Sequence, residues 1–162
     1  MYLKKNIQKD LTLYKGKFFP FEKSEKSFFR YEAIIGIGGN MGDTKRRFEK
    51  LFFFFKKDPF LEIIKTSSIL KNPPFGYLNQ PFFYNAVMEI KTNLTPNALL
   101  SHLLHAEKLF QRKRSFKDAP RTLDLDILFY QNRTINTKKL TIPHKEWYKR
   151  KSVTIPLTEL GI

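Results

Sequence analysis

Asp124 and Asp126, in the run Arg121-Thr122-Leu123-Asp124-Leu125-Asp126-Ile127-Leu128, are the residues of this 162-residue chain whose type and spacing speak first of chemistry. On a strand, side chains alternate. Leu123, Leu125 and Ile127 would then enter a core while the two carboxylates stand together on the opposite face, about 7 Å apart along the backbone. Such a pair can hold a hard cation. Mg²⁺ takes oxygen ligands, keeps several waters and is usually held by one or two carboxylates plus the phosphates of a substrate. A half-exposed strand carrying two solvated aspartates fits the same pattern. Cationic residues gather around the pair: Arg112, Lys113 and Arg114 before it, Arg121 at the head of the run, then Lys139, His144 and Arg150. Guanidiniums ringing a carboxylate centre suit a polyphosphate, with metal on one side and bidentate donors on the other. A nucleic-acid surface would use the same arginines but would rarely focus them on two aspartates.

A second constellation is Pro73-Pro74-Phe75-Gly76 followed by Phe83-Tyr84-Asn85. A rigid loop offering backbone amides, a ring at Phe83 and an amide at Asn85 on the same strand face could form a slot for a flat heterocycle. A core Phe and an edge Asn would satisfy the same spacing. Gly36, Gly38 and Gly39 match neither the Walker A loop nor the dinucleotide fingerprint, whose third glycine is replaced by Met41. They read as small residues that let a strand turn tightly into a helix. His102 and His105 read as surface groups, and Glu107 as a buried partner for an arginine.

These groups need elements to hold them. Ala33-Ile34-Ile35-Gly36-Ile37 is a short apolar run that predicts a strand. Residues 45–57, with Phe48, Leu51, Phe52 and Phe55 at helical spacing and Asp43 or Thr44 as N-cap, predict a helix. A second strand is expected over 61–70, ended by Pro73-Pro74, and a third over 83–92. Thr95-Pro96 opens a second helix with Leu99, Leu100, Leu103, Leu104 and Glu107 on one face. A polar loop over 111–120, a strand over 121–130 and a fifth strand over 134–142 follow. The order strand, helix, strand, strand, helix, strand is that of a ferredoxin-like α+β sheet, mostly antiparallel, with its helices on one face. Residues 1–30 read as a basic, aromatic-dotted extension of irregular structure or one short strand.

Length and composition narrow the function. The chain has the size of one domain, and 41% hydrophobic residues exclude a wholly disordered protein. Zero cysteines exclude disulfide scaffolds, thiolate zinc sites and cysteine nucleophiles. Without a long apolar run or a signal-peptide pattern, the expectation is a cytoplasmic protein with no membrane association. Thirty Lys and Arg against fifteen Asp and Glu give a net charge of +15, which points to polyanionic partners without ranking them. A basic nucleic-acid-binding module is one alternative, although there is no RNP-type aromatic pair, zinc motif or helix-turn-helix pattern.

Five stretches in order, IGIGGNMGD, SSILKNPPFGYLNQPFFYNAV, LLHAEKLFQRKR, APRTLDLDILFY and LTIPHKEWYKR, resemble the 6-hydroxymethyl-7,8-dihydropterin pyrophosphokinases of folate biosynthesis. The resemblance implies a three-layer ferredoxin-like domain over residues 31–162, preceded by the extension 1–30. It implies transfer of the terminal diphosphate of Mg-ATP to the hydroxymethyl group of the dihydropterin, with release of AMP. Asp124 and Asp126 match the paired ligands of the magnesium ions, expected to number two. Arg112 and Arg121 match catalytic positions. Together with Arg114, Ile127, Lys139, Thr141, His144 and Arg150 they match positions contacting the nucleotide. Asn72, Pro73, Phe75, Phe83 and Asn85 match the pterin site. The partners implied are ATP and the dihydropterin, bound by a monomer with no nucleic acid. Where the family usually carries a second stacking aromatic, this chain has Ser152, which leaves one-sided stacking or a substitute such as Trp147. It also leaves open a degenerate relative that binds pterin or nucleotide without turnover. The family's glycine before the first loop arginine is Gln111 here.

Overall fold

The computed structural model describes every residue except 114. An antiparallel sheet runs through the molecule, its longest strands being β4 (Tyr31–Gly39) and β7 (Phe83–Thr92), paired over nine registered positions from Tyr31↔Thr92 to Gly39↔Tyr84. β8 (Asp124–Tyr130) flanks β4 on the other side. The expected second strand is broken in two: β5 (Leu61–Thr66) pairs with the end of β7, and β6 (Ile69–Asn72) pairs with its start. The break sits at Ser67 and Ser68, both fully buried, where Ser67 Oγ accepts from the Val87 amide at 2.9 Å instead of letting the ladder run on. With β5 and β6 taken as one strand, the order across the sheet is second, third, first, fourth, which is the ferredoxin-like arrangement.

Two helices cover one face. α1 (Thr44–Lys56) starts at Asp43, whose carboxylate accepts from the Arg46 amide at 3.2 Å. It buries Phe48, Leu51, Phe52 and Phe55. α2 (Pro96–Leu109) starts at Thr95, whose hydroxyl accepts from the Ala98 amide at 3.2 Å, with Pro96 in the first turn where its missing N–H is harmless. Leu99 and Leu103 enter the core as expected, joined by Ala106, whereas Leu104 is exposed.

The opposite face carries a third helix, α3 (Lys151–Glu159), which the sequence pattern did not announce because Pro156 sits inside it. Leu157 and Leu160 pack there on Ile34, Val87 and Leu128. Glu159 ties the helix down by accepting from the Ser68 amide at 3.0 Å and its hydroxyl at 2.7 Å. The helices therefore lie on both faces, giving three layers.

Residues 134–142 form not one strand but a small hairpin, β9 (Ile135–Asn136) with β10 (Thr141–Ile142), which pairs with itself and not with β8. The first thirty residues are more regular than expected. β1 (Leu3–Gln8) and β2 (Leu11–Lys15) make a hairpin whose second strand pairs with β6, and β3 (Phe21–Glu22) pairs with β5. Phe19 is fully buried, and Phe18 and Phe21 pack their rings on Phe52 at 4.9 and 5.0 Å. Aromatics without a clean period gave no helix or strand signal, yet they cap the end of the core. Among the described residues no helix is long and apolar enough to cross a membrane.

Candidate active site

The site lies on the α3 face of the sheet, at the end α3 leaves uncovered. Directly opposite residues on paired strands share a face. The registers Leu13↔Leu70, Leu70↔Asn85, Gly38↔Asn85 and Gly38↔Asp124 therefore draw one row across five strands, from β2 to β8. The next row holds Val87, Gly36 and Asp126. Alternation along β8 behaves as expected: Leu125 and Ile127 enter the core beneath α1 and α2, and Asp124 and Asp126 face the other way. A bulge between the Ile35↔Ile127 and Ile34↔Phe129 pairs then lets both Leu128 and Phe129 reach the α3 layer.

Gly36 and Gly38 prove to be floor rather than turn. Both lie within β4, and a Cβ on Gly38 would stand 2.8 Å from Asn85 Oδ1. The missing side chain of Gly38 leaves the space between Asn85 and Asp124, while a Cβ on Gly36, between Val87 and Asp126, would stand 3.3 Å from Leu128. Gly39 serves close approach, since a Cβ there would meet the Thr122 carbonyl at 2.6 Å. Above this floor is a cavity of about 280 Å³. It brings together Asn72, Pro73, Phe75, Phe83, Asn85, Arg121, Asp124, Asp126, His144 and Arg150, ten of the residues singled out from sequence.

Arg112 joins the site from behind. α2 ends in a Schellman turn, with the Gln111 amide donating to the Lys108 carbonyl at 2.9 Å and the Arg112 amide to the Glu107 carbonyl at 3.0 Å. Gln111 takes φ +64°, the left-handed conformation that glycine adopts without cost. The turn sends the Arg112 guanidinium back onto Asp124 Oδ1 at 2.5 Å, while Arg121 Nη1 reaches Asp124 Oδ2 at 3.3 Å. Glu107 is the buried arginine partner expected: its Oε2 lies 3.5 Å from Arg112 and accepts from the Leu125 amide at 2.7 Å, fixing the strand that carries both aspartates.

Asp126 lies deep in the site, with His144 Nε2 3.9 Å away, although 41% of its side chain still faces the cavity. Its carboxyl is pushed up to about 7, first by burial, then by the neighbouring charges of Asp124 and Glu107, against the opposing pull of Arg112 and Arg150. His144 is shifted down by burial and by Arg150, so its imidazole tends toward the neutral form. A pair of carboxylates crowded until one resists ionisation is suited to a divalent cation, whose charge would relieve that crowding. Among the described residues no group of three or more acidic or His side chains forms an all-protein cage. The donor set therefore fits an ion that completes its shell with substrate oxygens and water.

At the other end, Asn85 Nδ2 donates to Asn72 Oδ1 at 2.6 Å, and the Asn72 amide donates to the Pro73 carbonyl at 3.1 Å. The Arg121 guanidinium lies 5.1 Å from the Phe83 ring centre, and that of Arg150 lies 4.8 Å from Phe75. Ser152 lines the cavity, and Trp147 is occupied elsewhere, its ring 5.0 Å from Phe129 outside the cavity wall.

Sequence reasoning missed Asn40. It is 5% exposed, its side-chain amide donates to Gln80 Oε1 at 2.9 Å and to the Pro81 carbonyl at 3.0 Å, and its Oδ1 accepts from the Arg121 amide at 2.9 Å. Gln80 in turn donates to the Asp118 carbonyl at 2.8 Å. Two loops far apart in sequence are thereby joined through one residue beyond the glycines. The same contacts draw Arg121 out of the ladder, so β8 begins at Asp124 and not at 121. Three residues expected at the nucleotide do not line this cavity. Lys139 and Thr141 are exposed on the β9–β10 hairpin, and the Ile127 side chain is buried in the core, 3% exposed. Arg114 falls outside the described residues.

Fold and site together define a ferredoxin-like α+β enzyme with an acidic pair and converging arginines at one end of a pocket and an amide–aromatic slot at the other. The profile described as 7,8-dihydro-6-hydroxymethylpterin-pyrophosphokinase (HPPK) matches residues 34–161. The chain is 46% identical over 88% of its length to a 2-amino-4-hydroxy-6-hydroxymethyldihydropteridine pyrophosphokinase of Campylobacter jejuni, covering 91% of that protein. It is 38% identical over 88% of its length to the protein of the same name from Helicobacter pylori, covering 88% of it. It is 34% identical over 86% of its length to a folic acid synthesis protein of Pneumocystis carinii, of which it matches 19%. The chain belongs to the 7,8-dihydro-6-hydroxymethylpterin-pyrophosphokinase family. The first two matches are longer than the stretch from residue 34 onward, and so take in part of the N-terminal segment.

Proposed function

We propose that this chain transfers the terminal diphosphate of ATP to the 6-hydroxymethyl group of 6-hydroxymethyl-7,8-dihydropterin, releasing AMP, with Mg²⁺, two ions in our reading, held at Asp124 and Asp126. The observation that carries the reading is that Asn85 and Phe83 at one end of a single cavity, and the aspartate pair at the other, stand on adjoining rows of one rigid sheet. In-line displacement at phosphorus needs alignment and charge neutralisation more than a covalent nucleophile. Bound Mg²⁺ would neutralise phosphate charge and polarise the oxygens it touches.

The chain's own residues supply the rest. Asn85 offers a paired donor and acceptor to the edge of the pterin, held in place by Asn72, while Phe83 stacks on one face and the 73–75 backbone meets the other edge. Arg112 and Arg121, now spent on the two oxygens of Asp124, would turn part of their donors to the triphosphate as its charge arrives. His144, 3.9 Å from Asp126, and Arg150, turning from the Phe75 ring on which it now lies, would face the nucleotide, and Lys139, Thr141, Arg114 and the Ile127 backbone would complete that side as the 71–82 and 111–120 loops close. Asn40, by joining the loops, helps exclude water so that ATP is not hydrolysed. In this reading the protein acts as a monomer in the cytoplasm, without a nucleic-acid partner. Residues 1–30 would extend the catalytic domain at 31–162, adding β1–β3 to its sheet and Phe19 to its core.

The test is AMP release measured with and without the dihydropterin. AMP is expected only when pterin and Mg²⁺ are both present, and not from the Asp126→Ala protein. ADP as the product, or AMP formation by Asp126→Ala at the normal rate, would sink the proposal.

A further inference from the structure

We infer that the N-terminal hairpin is part of the substrate pocket, and that Leu11 is a positioning residue for the heterocycle end of it. This rests on the function proposed above. Leu11 precedes the span matched by the family profile, yet it lines the same cavity as Asn85 and Phe83 and is 5% exposed. The register explains why. Thr12 pairs with Lys71 and Leu13 with Leu70, which carries Leu11 alongside Asn72, and Asn72 pairs with Phe83. Leu11, Asn72 and Phe83 thus stand side by side on the site face of three adjacent strands. Strands are spaced about 4.8 Å, so Leu11 is about 19 Å from the β8 aspartates and beside the slot.

Its effect runs through Asn72. Without β2, β6 would be an edge strand with its backbone unpaired, and Asn72 would end it freely. With β2 in place, the wall behind Asn72 is apolar and fixed, and Asn72 Oδ1 is held where it accepts from Asn85 Nδ2 at 2.6 Å. The hairpin is itself anchored: Tyr2 donates to Glu49 of α1 at 2.6 Å, and Phe19 is buried in the main core. A segment serving only to blunt a sheet edge would not need to present a buried leucine to the cavity.

The experiment compares Leu11→Ala with Leu13→Ala, which trims the same strand and face two residues from the cavity, and with Leu11→Met, which restores the volume. Leu11→Ala is expected to raise KM for the dihydropterin about tenfold, by analogy with the cost of removing carbon from an apolar pocket. KM for ATP and kcat should stay at the wild-type values, as should both KM values in Leu13→Ala. Leu11→Met should recover the pterin KM. Should Leu11→Ala fold poorly, Leu11→Val is expected to show a smaller rise in the same constant alone. Equal rises for both substrates, no rise, or the same rise in Leu13→Ala overturns the inference. An active wild type with an unaltered Leu11→Ala protein overturns this inference only. A wild type that neither forms AMP nor binds the dihydropterin in a direct titration overturns the proposed function along with it.

Discussion

The two faces of the sheet are made from the same strands and solve opposite problems. Beneath α1 and α2, Ile35, Ile37, Ile127 and Leu125 meet Phe48, Phe52 and Phe55 in one buried apolar core. On the α3 face, the residues one step along the same strands are Gly36, Gly38, Asp124 and Asp126, and the space they leave is the cavity. One face holds the fold together by excluding water. The other keeps carboxylates crowded and glycines bare, an arrangement that favours a charged ligand over the empty protein. Substitutions on the two faces should therefore fail in different ways.

The largest expected effect is on the open face. Asp126→Ala should lower diphosphate transfer by about a thousandfold, the scale of losing a key electrostatic contact at the reacting centre, with a native circular-dichroism spectrum. Retained activity would place the chemistry elsewhere. On the apolar face, Phe52→Ala should cost about 3–5 kcal/mol in denaturant unfolding, because Phe52 is 1% exposed and touches the rings of Phe18, Phe19 and Phe21. Its kcat, measured where the variant is still folded, should be unchanged.

Gly38→Ala tests the border between the two. Its Cβ would press on Asn85 Oδ1, so KM for the pterin should rise about tenfold while stability moves by less than about 1 kcal/mol. A large loss of stability with an unchanged KM would show that the glycine serves packing and not the slot.

The smallest effect concerns pH. The Asp126 carboxyl is raised to about 7 in the folded chain from an ordinary value of 3.8, so the folded state holds the proton more tightly than the unfolded state. In chelator-treated protein this contribution to stability is complete below about 3.8 and is lost as pH rises through about 7. Because the side chain is partly exposed to the cavity, the change should stay under about 1 kcal/mol. Thermal unfolding at pH 5.5 and 8 should show it, and Asp126→Asn should flatten the difference. An equal slope in the variant would assign the pH dependence to another group.

Much of this was legible beforehand because it is local. The spacing of the α1 phenylalanines, the Thr95-Pro96 start of α2 and the alternation around Asp124 follow from backbone periodicity within a few residues. Glu107 could be read as an arginine's partner because a carboxylate on an apolar helix stripe needs one. Asn40 could not be found this way, since its partners lie some 40 and 81 residues further along the chain. The glycines were misread because a turn is visible in sequence and a neighbouring strand's amide is not. α3 was hidden by Pro156, whose cost is offset by packing of Leu157 and Leu160 on a sheet that sequence alone does not place.

By itself the sequence determined that Asp124 and Asp126 share one face wherever that segment is a strand, and that arginines flank them, because side chains alternate along an extended backbone. Only the tertiary structure decided that Asn85 stands across Gly38 from Asp124, and that a leucine from the basic arm reaches the same pocket. Those relations depend on which strands pair and in what register, and register is set by long-range burial that no stretch of ten residues contains.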